Sequence, residues 1–152
     1  MADITQDGDF SSFPEVQRWF AVLDGGGIEL QVSAYVQQLF PSDAPACFDG
    51  GQQAQVRLLA GVTHDLNLMT RGCVGLMQAA NPEQSWHSPY TAGGLFVTSA
   101  VHCFDGMNAY EIPPFTLLWF DHCASLLVFY PVSDPVAVGA AYWLAVETRN
   151  PC

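Results

Sequence analysis

Between Ala54 and Leu76 the chain alternates. Ala54, Val56, Leu58, Ala60, Val62, Leu66, Leu68, Val74 and Leu76 share one parity, while Gln55, Arg57, Thr63, Asp65, Asn67 and Arg71 hold the other. Successive side chains of a strand point to opposite faces, so a period of two over this length demands half-buried β-structure. A turn near His64-Asp65 or Arg71-Gly72 divides the run. Further on, Leu95 to Cys103, Phe115 to Phe120, Ser125 to Tyr130 and Val136 to Glu147 are dense in β-branched and aromatic residues and read as strands. Turns are expected at Asp105-Gly106, Pro113-Pro114, Asp121-His122 and Pro131 to Pro135. The last strand is apolar on both parities, which puts it mid-sheet or against another subunit.

The N-terminal third reads differently. Ser12-Phe13-Pro14-Glu15 has the form of a capping box with proline in the first turn. Phe13, Val16, Trp19, Phe20 and Leu23 follow at helical spacing, and Gly25-Gly26-Gly27 ends the run. This spacing predicts an amphipathic helix over 13–24. A strand over 28–33, a helical turn over 33–40 and a loop from Pro41 to Gly51 come next. Asn81 to Gly94, with Trp86, His87 and Tyr90, is a Pro- and Gly-punctuated connection suited to contacts. The expected fold is α+β but mostly β: an N-terminal helix, then an antiparallel β-sandwich or barrel-like domain.

One four-residue word occurs twice. Cys47-Phe48-Asp49-Gly50 recurs as Cys103-Phe104-Asp105-Gly106, and the flanking residues raise the match to seven identities in twelve positions. Two explanations compete. Either a single domain spanning 1–152 contains a degenerate two-fold repeat, with halves 28–90 and 91–152, or two unrelated loops share an Asp-Gly turn.

Charge narrows the function. The net charge is −11, lysine is absent, and the four cations Arg18, Arg57, Arg71 and Arg149 are scattered. Binding to nucleic acid needs clustered positive charge, so neither DNA nor RNA is an expected partner. Anionic membrane surfaces are excluded on the same ground. No apolar run is long enough for a spanning helix, and Met1 to Asp9 has no secretory pattern. The expected location is the cytoplasm or a virion. Five cysteines in a reducing compartment serve first as small core residues.

Candidate chemistry is confined to two His-Cys pairs. His102 and Cys103, with His122 and Cys123 beside Asp121, could supply a thiol, a base and an orienting acid. Neighbours on a strand face opposite ways, which argues against one metal site built from both pairs. No cofactor motif is present and no metal is expected. The leading expectation is therefore a non-enzymatic assembly protein, a viral or phage particle component such as a capsid decoration or head–tail part. It would act as a homo-oligomer through Trp86, His87, Tyr90, Tyr142 and Trp143. An acidic inhibitor or immunity-type binder of a basic partner, or a small Cys/His hydrolase, are the alternatives.

Overall fold

A computed structural model describes residues 1–123, 125–132 and 139–147. Among these the regular structure is all β, and the expected helix is absent, so the α+β class is corrected to all-β. The backbone divides into two compact units between Val74 and Gly75.

The first unit comprises β1 (Ala2–Ile4), β2 (Gly8–Asp9), β3 (Val16–Gly25), β4 (Ile28–Val32), β5 (Tyr35–Leu39), β6 (Ala46–Asp49), β7 (Ala54–Leu58) and β8 (Thr63–Arg71). They form two antiparallel four-stranded sheets, ordered β1-β8-β3-β6 and β2-β7-β4-β5. That is the strand order of a jelly roll. Its core joins Phe20, Val22, Ile28, Leu30, Leu39 and Val56 from both sheets.

The second unit comprises β9 (Gly75–Ala79), β10 (Ala92–Val97), β11 (Val101–Phe104), β12 (Ala109–Ile112), β13 (Thr116–Phe120), β14 (Val128–Pro131) and β15 (Ala141–Val146). Its sheets run β9-β15-β10-β13 and β12-β11-β14. This pairing order repeats that of the first unit strand for strand. Even β2 has a counterpart in Trp86, whose N–H and C=O bond to Leu127, just before β14, at 2.7 and 2.8 Å. β15 lies between β10 and β9 with Ala141 to Ala145 buried, the mid-sheet position its two apolar parities require.

The repeated word does not mark this duplication. Cys47 to Asp49 lie on β6, an edge strand, whereas Cys103 and Phe104 lie on β11, between β12 and β14. Those positions do not correspond. What the copies share is a turn: Asp49 Oδ1 accepts the Gly51 N–H at 2.8 Å, and Asp105 Oδ1 accepts the Met107 N–H at 2.9 Å. Aspartate bonding its own backbone two residues on is a common local device.

The helix expected over 13–24 is a turn followed by β3. Val16, Arg18, Phe20 and Val22 fall on one face of that strand, while Ala21 and Leu23 are buried on the other. A strand covered on both faces loses its period-two signature, and its apolar residues then also satisfy a helical spacing. Glu15, which the capping box needs in the helical region, has φ 64. Gly25 to Gly27 form the corner into β4, where a Cβ on Gly26 would sit 1.8 Å from the Ala60 oxygen.

Smaller differences have the same origin. The helical turn expected over 33–40 is β5, closed on β4 as a hairpin through Ser33 at φ 52. The loop Pro41 to Gly51 contains β6. His64 and Asp65 lie inside β8 rather than at a turn, and the run 54–76 breaks at 59–62 and 72–74. Leu95 to Cys103 falls across β10 and β11, and β12 was not foreseen. Part of the Val136 to Glu147 run and of the Pro131 to Pro135 turn lies outside the described residues.

Candidate functional site

β3 and β8 pair with Phe20 opposite Asn67 and Val22 opposite Asp65. Directly opposed residues of an antiparallel pair project to the same face. Asp65 and Asn67 therefore share the core side of the sheet with Phe20 and Val22, as does Arg18 two residues before Phe20. On β6, Phe48 stands opposite Arg18. A charged group is thus carried into the apolar interior of the first unit, where Arg18 is 5% exposed and Asp65 2%.

The cation is tightly surrounded. Arg18 donates from Nε to Asn67 Oδ1 at 2.7 Å, and Asn67 donates from Nδ2 to Asp65 Oδ1 at 2.5 Å. The guanidinium carbon sits 4.1 Å from the Phe10 ring centroid, 5.6 Å from Phe48 and 5.8 Å from Phe20. Aromatic faces are electron-rich, so these rings replace part of the hydration Arg18 has lost, about 2 kcal/mol for a desolvated contact. Of the Arg18 side-chain nitrogens, Nε donates to protein, and the terminal nitrogens are not among the buried atoms left without a partner. A guanidinium fork of this kind matches the geometry of a planar acceptor such as a carboxylate.

Burial governs the electrostatics. It lowers the pKa of Arg18, while the nearby Asp65 charge opposes the shift. It raises Asp65 to about 6, against the pull of the Met1 amino group and of Arg18. Beside the edge strands β5 and β6 an open cleft of about 620 Å³ is lined by Val32, Tyr35, Gln37, Ala46 and Phe48. Phe48 thus borders both the cleft and the cation.

The residues singled out from sequence lie elsewhere. Cys103 is buried in the second unit's core, and its neighbour His102 projects to the other side of β11. Burial pushes the Cys103 thiol to about 11 and raises Cys123 as well, the reverse of what an activated thiolate needs. Asp121 and His122 are exposed in the loop after β13. Among the described residues, no three His, Cys, Asp or Glu side chains are grouped to hold a metal. Trp86, Tyr142 and Trp143 are buried, Tyr90 packs on the core, and His87 is exposed. Trp86 and Trp143 stack at 4.7 Å within the second unit. Sequence reasoning missed Asp65 and Asn67 because their parity reads as a solvent face, and Arg18 because its segment reads as a helix. The available signal was Arg18 itself, a lone cation inside the apolar run from Val16 to Leu23.

Comparison with known proteins supplies the context. The sequence profile of the HutD family matches residues 1–129. A Pseudomonas putida protein, described as an uncharacterized 21.2 kDa protein in the hutC 3' region, is 41% identical over 70 residues, 45% of this chain and 36% of that protein. The match spans little more than a third of that relative's length. Among solved structures, a conserved Pseudomonas aeruginosa protein of unknown function superposes with TM-score 0.80 and 21% identity, covering 97% of this chain and 80% of that one. HutD from Pseudomonas fluorescens, solved in a formate condition, gives TM-score 0.77 and 24% identity over 97% and 77% of the two chains. These two likenesses carry the fold. The bacterial family match overturns the expectation of a viral or phage particle component, and it supports neither the inhibitor nor the hydrolase alternative.

Proposed function

The chain belongs to the HutD family, and from that premise we propose that it serves a bacterial histidine-utilisation (hut) system by binding a small carboxylate at Arg18, without catalysing a reaction. The observation that carries this reading is a guanidinium 5% exposed among apolar residues, held from Nε by Asn67 and from one face by Phe10. Carrying a cation into an apolar interior has a desolvation cost that Asn67, the three rings and the Asp65 charge offset only in part, and no feature of a jelly-roll core requires one. Such a cost is expected at a site kept for function. A non-catalytic role fits the raised thiols. Cytoplasmic residence is part of the proposal. It is compatible with the lack, among the described residues, of any helix long and apolar enough to cross a membrane.

The test is calorimetric titration of the purified chain with sodium benzoate and sodium acetate. The expected result is saturable binding at one site per chain, abolished in Arg18→Met while the unfolding transition of that variant stays cooperative. Equal binding by wild type and Arg18→Met, or none by wild type, would end the proposal.

A further inference from the structure

Arg18 and Asp65 lie on one core-facing side of the β3-β8 pair, bridged by Asn67, whose amide oxygen and nitrogen are both occupied. The charged or titratable groups facing Asp65 are Arg18 from β3, Asp3 and the Met1 amino group from the β1 segment, and His64 beside it on β8. His64 and Asp3 reach solvent, with side chains 39% and 65% exposed, and Met1 is 67% exposed. Water screens those three. Arg18 is the one buried counter-charge among them.

This arrangement sets a charge constraint. With the site empty, one buried cation balances one buried carboxylate. An anion arriving at the Arg18 fork would place two negative charges against one positive in a largely buried site, and like charges sharing such a site cannot both stay ionised cheaply. The group able to relieve this is Asp65, since the incoming ligand must remain ionised to engage the guanidinium.

We propose that a monoanionic carboxylate binds at Arg18 together with one proton, taken from solvent by the Asp65 carboxylate, so that the site holds its ligand more tightly as the solution is acidified. This rests on the reading of Arg18 as the anion seat and adds how that seat is regulated. Protonation leaves Arg18 paired with the ligand and turns Asp65 into a neutral group that still accepts from Asn67. Burial has already lifted Asp65 to about 6, so the proton is taken up at little cost near neutrality. Above that value, linkage makes affinity fall about tenfold per pH unit, because each binding event consumes one proton.

The experiment is benzoate titration of the full chain between pH 6 and 8, where benzoate stays ionised. Each pH is run in two buffers of different ionisation enthalpy, which counts the protons taken up without any variant. The expected outcome is an uptake approaching one proton near pH 8 and an affinity roughly fiftyfold weaker there than at pH 6. Asp65→Asn should bind benzoate with an affinity nearly flat in pH. Binding by wild type with no proton uptake and no pH dependence overturns the coupling while leaving the anion seat intact. A pH slope unchanged in a cooperatively folded Asp65→Asn overturns it too. Absence of benzoate binding at every pH overturns both.

Discussion

On the core side of the first unit, Arg18 stands beside Phe48, and Phe20 lies between Asn67 and Ala46. On the core side of the second, Leu95 lies between Trp143 and Leu118, and Gly93 between Ala145 and Phe120. The strands carrying these residues occupy matching places in the same jelly-roll order. One interior is filled by apolar side chains, indoles and thiols among them. Trp86 and Trp143 stack at 4.7 Å and 3°, with Phe129 edge-on to Trp143 at 5.8 Å. The other holds a guanidinium, an amide and a carboxylate among three phenyl rings. A duplicated scaffold thus separates two demands: an apolar interior that stabilises, and a polar one that tolerates a desolvation cost for the sake of a site.

The sharpest way to break this contrast is to hollow out the apolar interior. Trp143→Ala removes a side chain that is 2% exposed and leaves a cavity beside Trp86 and Phe129. Large-to-small changes of this kind cost about 3–5 kcal/mol, a large share of the stability of an ordinary domain. Chemical denaturation should show the unfolding midpoint falling accordingly. A loss below about 1 kcal/mol would mean that the stacked indoles do not anchor the unit.

The polar interior should respond in the opposite sense once both charges are removed. Arg18→Met alone strands Asp65, and the loss should be about 1–3 kcal/mol at pH 8, shrinking at pH 5 where Asp65 is protonated. Arg18→Met with Asp65→Asn should recover that loss or exceed wild type, because apolar replacement of buried charges is often stabilising. Denaturation of the single and double variants at both pH values checks this. A double variant less stable than Arg18→Met would show that the charges support the fold rather than a site.

Asp65 also predicts a pH dependence of smaller reach. Its pKa is 3.8 without the fold and about 6 within it, so between those values the folded chain binds more protons than the unfolded one. Stability from this group is fully present below about pH 4 and is lost as pH rises through about 6. The shift is worth about 3 kcal/mol at most, and less wherever the interior relaxes. Comparing wild type with Asp65→Asn by urea titration from pH 4 to 7 isolates this contribution, since other groups titrate in both. Parallel curves would remove Asp65 from the interior.

The contrast between the units explains what the sequence could disclose. Strands whose two faces meet different surroundings, such as β7 with Ala54, Val56 and Leu58 facing in, were legible by alternation. β15 was legible because both its parities are apolar. β3 was not. Burial on both faces erased the alternation, and Ser12-Phe13-Pro14-Glu15 supplied a local helix signal that the sheet overrode. The parity rule failed at β8, since the chain changes sheets across 59–62 and carries no face assignment with it. Asp65 and Asn67 were accordingly assigned to solvent. Local composition cannot show that a polar residue will be drawn inward by a partner on a distant strand, here Arg18 on β3. The duplication was hidden for a related reason: matching strands share pairing order but little sequence, while the shared word reflects an aspartate turn.

The smallest expected effect lies on the outer face of the first unit. Arg57 on β7 and Glu29 on β4 form a pair at 3.1 Å, with side chains 60% and 28% exposed. The glutamate raises the Arg57 pKa through its hydrogen bond, yet both partners stay solvated. Exposed pairs of this geometry gain little, because water screens the attraction and two long side chains lose freedom to hold it. Arg57→Gln should leave the denaturation midpoint within error, and added salt should erase any residue of a difference. It should also leave carboxylate binding at Arg18 unchanged. If Arg57→Gln destabilised as much as Arg18→Met, burial would not be what distinguishes the two arginines, and the contrast between a costly interior cation and an inexpensive surface one would collapse.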